Sequence, residues 1–325
     1  MNILYYIIFA LAYLISLLPF RVLYALSDFF YLIVYRLVGY RRRLVAKNLR
    51  DSFPEKSQDE LNDIERKFYH WFCDYAVESI KLISISPESL MRHLVFTNTD
   101  AIHRLFAENR SVALYVGHYC NWEWITSLPL WFPSNERCYG QIYHPLENKT
   151  FDRLFLYLRQ RMGSGCIPMA ETMRRIWEYK SQGKLMMIGY ICDQVPFWNN
   201  IHHWCQFLNH DTPVLTGTER IVRKYNHVPV YIDMKRIRRG YYEADMRIMT
   251  LEPKKLKEFE VTDIYFRLLE QSIRQAPQYW LWTHNRWKRT REEYNLRYDE
   301  ATGRLDIVSS VEELRKRKAQ PSHNI

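Results

Sequence analysis

The sequence predicts an α/β fold, a mixed sheet flanked by helices and preceded by a membrane-anchoring helix, and three observations predict it. From about residue 111, short apolar runs alternate with stretches of helical periodicity, the pattern of a sheet whose strands are joined by helices. Two of the helical stretches stop at a glycine, Gly163 and Gly183, and the second feeds directly into the apolar run 184–192. At the amino terminus, "NILYYIIFALAYLISLLPF" runs from 2 to 20 without a charge. That is about the ~20 residues a hydrocarbon core requires.

No Lys or Arg precedes this first run and no small-residue cleavage site follows it, which sets it apart from a signal peptide. Positive charge comes afterwards, at Arg21, Arg36, Arg41, Arg42, Arg43, Lys47 and Arg50, so the positive-inside rule keeps the bulk of the chain cytoplasmic. A transmembrane anchor over 1–21 is expected, although a buried core helix fits the same composition. The stretch 22–50 is still apolar but holds Asp28 and Arg36, whose burial in a second span is costly. It reads as an interfacial basic helix resting on anionic head groups.

The main domain is expected over 51–300. Ser57 caps a long amphipathic helix, with Glu60 completing a capping box and Phe68, Phe72 and Tyr75 recurring at helical spacing. The run 111–117 reads as a buried strand, with a helix from about 122. Then come a strand at 137–143, a helix at 149–163, a helix at 172–183 and a strand at 184–192. Residues 212–226 read as a helix with Thr212 as cap and Pro213 at its first position. Strands at 228–234 and 241–250 follow, antiparallel across the "RIRRG" turn. In such a sheet, function gathers at the carboxyl ends of the strands. Residues 301–325 read as a polar, solvated tail.

The totals narrow the partners. A formal charge of +10, from 46 Lys+Arg against 36 Asp+Glu, suits an acidic partner. With 24 Tyr and 10 Trp, the chain is rich in side chains that favour boundaries between apolar and wet surroundings. The basic clusters lie beside the apolar amino terminus, where lipid explains them better than nucleic acid does. Six cysteines show no C-x-x-C and no paired spacing, as expected of reduced thiols facing a cytosolic environment.

One short stretch carries candidate chemistry. "GHYCNWEW" (117–124) turns from the buried strand into the next helix and holds His118 and Glu123. Two helical residues five apart sit about 140° around the axis from each other. The pair meets only if His118 lies in the turn and Glu123 in the first helical turn. Asn121 is a good N-cap and would put Glu123 at N2, where the helix dipole favours its charge. A carboxylate on one imidazole nitrogen fixes the tautomer and makes the other nitrogen a better base. The same spacing fits a buried histidine under a capped helix.

"GHYCNWE" resembles the His-x4-Asp/Glu motif of glycerolipid-type acyltransferases, and its aromatic-rich form resembles the lipid A secondary (lauroyl/myristoyl) acyltransferases. Further blocks resemble that family in the same order. In "IYHPLENKTFDRLFLYLRQR" (142–161), Tyr143, Pro145, Asn148, Asp152, Arg159 and Arg161 fall into step, while His144 stands where the family has arginine. "YICDQ" (190–194) puts Asp193 at the family's functional aspartate. "FLNHDTPVLTGTERIVRK" (207–224) and "APQYWLWTHNRWK" (276–288) continue the likeness to about residue 290.

The resemblance implies an acyltransferase-like fold without metal or other cofactor. It implies transfer of a fatty acyl chain from acyl carrier protein to a hydroxyl on an anionic glycolipid, a lipid A precursor, at the inner membrane. By the same resemblance His118 is the base and Glu123 holds it, while Arg159, Arg161, Asp193 and Asn148 contact substrate. A lysophospholipid or an aminoacyl lipid is the alternative acceptor. A zinc site in "IHHWCQFLNHD" (201–211) is a weaker rival, because its His202, His203, Cys205, His210 and Asp211 match no metal-ligand spacing.

Overall fold

A computed structural model of the chain describes residues 3–319. The amino-terminal run forms α1 (Ile3–Leu17) and α2 (Phe20–Tyr31), followed by a π-helical turn (Leu32–Leu37). The break falls at Leu18-Pro19, because proline brings no N–H to the ladder and drives the preceding residue out of the helical region. The two segments bend by 118° there, and among the described residues no single helix is long and apolar enough to cross a membrane. The segment expected as an anchor over 1–21 is thus the first arm of a bent apolar pair. At 15 residues α1 rises about 22 Å, short of a ~30 Å hydrocarbon core.

The single interfacial helix expected over 22–50 is likewise divided, between α2, the π turn and α3 (Arg42–Ser52). It leads to α4 (Gln58–Lys81), which opens on the predicted capping box: Ser57 Oγ accepts from the Glu60 N–H, and Glu60 accepts from the Ser57 N–H. The bent pair packs on α4, where Tyr31 stacks on His70, and it buries Tyr5, Ala12, Leu23 and Tyr31. The other side of α1 exposes Ile3, Leu4, Ile7, Leu11 and Leu14, one apolar stripe at helical spacing.

Then follow α5 (Pro87–His93), β1 (Leu94–Thr97), α6 (Thr99–Ala107), β2 (Val112–Val116), α7 (Leu128–Trp131), β3 (Arg137–Tyr143) and α8 (Lys149–Gln160). Next come β4 (Gly165–Pro168), α9 (Thr172–Ser181), β5 (Leu185–Ile191), β6 (His203–Phe207), β7 (His210–Val214) and α10 (Gly217–Tyr225). The chain ends through β8 (Val228–Arg238), β9 (Tyr241–Ile248), α11 (Glu260–Gln275), α12 (Arg291–Arg297) and α13 (Val311–Ala319).

Seven of the described strands form one sheet in the order β1-β9-β8-β2-β5-β3-β4. It is parallel except where β9 runs against β8 across the predicted hairpin. β2 is buried at every residue, as a central parallel strand requires. The chain leaves β2 towards β3 on one side and leaves β5 towards β8 on the other. β2 and β5 are neighbours, so a topological switch point opens at their carboxyl ends, where open α/β sheets bind ligands.

One further expectation is corrected. Thr212 and Pro213 do not start a helix; they lie in β7, paired antiparallel with β6, and α10 begins at Gly217. The polar tail carries a helix of its own. Ser310 and Glu313 form a second capping box, and α13 is tied back by Lys318 Nζ to the Asn295 carbonyl. Residues 320–325 of that expectation lie outside the described residues.

Candidate active site

His118 follows β2 after one residue, and Asp193 follows β5 after one residue. Adjacent parallel strands therefore deliver both side chains to the switch point. The His118 backbone N–H donates to Asp193 Oδ2 at 2.8 Å, and its ring Nδ1 lies 2.6 Å from Asp193 Oδ1. Trp280 Nε1 donates to Asp193 Oδ2 at 2.8 Å. Burial alone would push the Asp193 carboxyl up, but the imidazole and these N–H donors hold it down to about 2. An ionised carboxylate only accepts, so Nδ1 is the donor of this pair, and in the neutral imidazole Nε2 is the acceptor nitrogen. The Gln194 amide stands 3.2 Å from that nitrogen.

The backbone around His118 is clamped. Cys120, at φ +52°, donates its N–H to the Tyr279 carbonyl, and the Leu281 N–H donates to the His118 carbonyl. The edge of Trp122 meets the imidazole at 5.1 Å. Gly117 has no room for a side chain: a Cβ there would lie 2.7 Å from Leu269 Cδ1. The site thus depends on α11 and on the 279–281 segment as well as on the two strands.

Asn121 caps the next turn as expected, accepting from the Trp124 N–H, and Glu123 falls in the first turn of the 3-10 segment Trp122–Ser127. Yet Glu123 is not the carboxylate on His118. It is buried against Arg159, Nε to Oε2 at 2.8 Å and Nη2 to Oε1 at 2.6 Å. The partner expected for His118 is therefore corrected to Asp193. The reason is physical: the turn directs Glu123 inward towards α8, while β5 brings the other acid directly alongside.

The remaining residues of the second block serve the backbone. Asn148 caps α8, accepting from the N–H groups of Thr150 and Phe151. Asp152 accepts from the Leu146 N–H, and Arg161 donates to the carbonyls of Leu82 and Ile85. His144 is exposed and clear of the His118 cluster. Asn148 and Arg161, expected to contact substrate, thus have protein partners of their own, the one as a cap of α8 and the other at the end of α4. Trp280 and Gln194 carried no signal of their own, although both stand inside blocks that resemble the family.

The residues of "IHHWCQFLNHD" disperse into separate contacts. His203 pairs with Asp263 at 2.7 Å, His210 stacks on Trp287 and Asp211 pairs with Arg291. Among the described residues no group of three or more His, Cys, Asp and Glu is placed to hold a metal ion.

A comparison with curated proteins finds no match. A family model described as bacterial lipid A biosynthesis acyltransferase matches residues 1–289, the span that holds His118, Glu123, Arg159, Asp193 and Trp280. The chain therefore belongs to the bacterial lipid A biosynthesis acyltransferases, a family of transferase-class enzymes.

Proposed function

We propose that the protein moves a fatty acyl chain from acyl carrier protein to a hydroxyl of a lipid A precursor, a secondary acylation in lipopolysaccharide biosynthesis. The observation that carries the reading is the His118–Asp193 pair at the switch point, which engages Nδ1 and leaves Nε2 clear of the carboxylate. Nε2 takes the proton of the acceptor hydroxyl as its oxygen attacks the thioester carbonyl. Asp193 holds the resulting imidazolium. Collapse of the tetrahedral intermediate breaks the carbon–sulfur bond and forms the ester. The departing thiolate then takes the proton back from Nε2, leaving His118 as it began.

Location follows from surface chemistry. The apolar stripe of α1, with Val22, Phe29 and Phe30 on α2, suits immersion of the bent pair in one leaflet. Arg36 and Arg41–Arg43 follow directly and suit anionic head groups on the cytoplasmic face of the inner membrane. The net charge of +10 also favours an acidic carrier protein as donor.

The test uses membranes holding the parent protein or His118→Ala, given radiolabelled acyl carrier protein thioester. The acceptor is a tetra-acylated lipid A precursor or, in parallel, a lysophospholipid. Label reaching the precursor, and lost in the variant, is the expected result. Label reaching only the lysophospholipid replaces the acceptor, and transfer that survives His118→Ala removes the base.

A further inference from the structure

β8 runs parallel to β2, so its carboxyl end emerges on the same side of the sheet as His118. That end carries Arg236, Arg238 and Arg239, which face Arg66, Lys67 and His70 of α4 across an open crevice. The crevice has two contiguous lobes of about 430 and 410 Å³ that share His70, Arg236 and Tyr279. The first lobe contains carboxylates that are already engaged: Asp74 holds Arg236 and Arg239, each at 2.6 Å, and Asp28 holds Arg239. The second lobe is lined by Arg66, Lys67, His70, Arg236, Gln278 and Tyr279, with no carboxylate among them.

The cations of the second lobe are poorly neutralised. Arg66 and Lys67 share only Asp63, in exposed pairs of the kind worth little in water. The Arg236 side chain is 10% exposed, gives one ion pair to Asp74, and has a buried Nε with no partner among the described residues. A buried guanidinium with one unmet donor beside two weakly paired cations is suited to a dianionic oxygen ligand. The lobes are also roomy enough for a phosphorylated sugar.

Position narrows the ligand. Asp28 of α2 lines the first lobe, so the crevice opens next to the apolar bent pair. On its inner side Tyr279 accepts from the Cys120 N–H, and Trp71 lies 6.3 Å from Tyr279 and 6.2 Å from Trp122. Trp122 in turn meets the His118 imidazole, so an aromatic chain runs from the crevice to His118. A lipid whose chains lie along α1 and α2 would thus have its head group here while a hydroxyl on its chain reaches Nε2.

We propose that this crevice binds the phosphate-bearing head group of the acceptor lipid, with Arg66, Lys67 and Arg236 as the phosphate contacts. The assignment rests on the acyl-transfer reading above. It is tested on the full chain in neutral detergent with the Arg66→Gln/Lys67→Gln double variant. Both positions are solvent-facing and leave the Arg236–Asp74 pair intact. Acceptors are a diphosphorylated tetra-acyl disaccharide lipid and the same lipid after phosphatase treatment.

In the double variant the KM for the phosphorylated acceptor is expected to rise about tenfold or more, with kcat within about twofold. The KM values for the dephosphorylated acceptor and for the acyl donor should stay unchanged. An equal rise for both acceptors, no rise, or a rise confined to the donor overturns the assignment. So does a variant that keeps its acceptor KM but loses binding to phosphatidylglycerol vesicles, since the crevice would then read membrane phospholipid. If the parent protein acylates neither lipid, the acyl-transfer reading fails by itself. Quenching of tryptophan fluorescence then tests the crevice directly. Phosphate-dependent binding of the disaccharide lipid, lost in the variant, supports it, and phosphate-independent binding overturns it.

Discussion

Arg159 grips Glu123 at both carboxylate oxygens, at 2.8 and 2.6 Å, so the acid of the His-x4-Glu motif belongs to a buried ion pair and not to the imidazole. Removing either partner leaves the other charge uncompensated in the interior. Glu123→Ala and Arg159→Ala should each cost about 3–5 kcal/mol in urea denaturation, and the double variant Glu123→Leu/Arg159→Met should recover most of it. A Glu123→Gln protein that melts like the parent but shows a shifted pH profile for kcat would return Glu123 to the reaction.

Asp193→Asn is the sharper test of the base. The asparagine amide would donate towards Nδ1, moving the ring proton to Nε2 and removing the lone pair that accepts the hydroxyl proton. A loss of kcat on the order of 10²–10⁴ is expected, with acceptor KM little changed. Retention of kcat within a few-fold would dismiss the pair as structural.

Two carboxyls give opposite pH signatures. Asp193 is held at about 2, below the ordinary carboxyl range, so its contribution of about 2 kcal/mol is present above that range and vanishes as pH falls through 2. Burial pushes Glu78 up to about 7 against the pull of Arg236. Its contribution, about 3 kcal/mol, is complete below pH 4.5 and is lost as pH rises through 7. Glu78 accepts from Tyr24, Asn121 and Tyr242, contacts that a glutamine can largely keep. Denaturation midpoints of Glu78→Gln should therefore be flatter between pH 5 and 8 than those of the parent. Parallel slopes would place the titration elsewhere.

Gly117→Ala should destabilise by about 1–3 kcal/mol, because the new methyl meets the buried Leu269 and one of them has to move. The shift passes straight to His118, so kcat should fall with it. A variant as stable and active as the parent would mean that α11 yields at no cost.

Local chemistry explains which elements were legible in the sequence. β3 (Arg137–Tyr143) and the Ser57/Glu60 box follow from short-range patterns and form where those patterns lie. The β6–β7 hairpin stayed hidden because its two-residue turn places both Leu208 (φ +49°) and Asn209 (φ +64°) in the left-handed region. Asparagine advertises that geometry and leucine does not. Thr212-Pro213 then looked like a helix start, which its local chemistry permits. The acid beside His118 is hidden from the sequence for a related reason: Glu123 is five positions from His118, whereas Asp193 is 75 away and arrives only through the pairing of β2 with β5. The bend of the amino-terminal pair was written in Pro19, but an uncharged run of the right length masks a break inside it.

The seating of α1 and α2 on α4 bears on how this enzyme can be handled. Ser27 reaches Asp74 at 2.7 Å, Tyr24 reaches Glu78, and Lys81 holds the carbonyls of Ser16 and Leu18. The same helix props the His118 turn from its other side, through Glu78 on Asn121 and Tyr75 stacked on Trp122. The greasy leader is a keel rather than a leash. Cutting it away to obtain a tractable fragment would strip the outer support from the helix that holds the His118 turn. Polar replacements along the outward stripe, at Ile7, Leu11 and Leu14, leave that support in place and are the rational route to a soluble form.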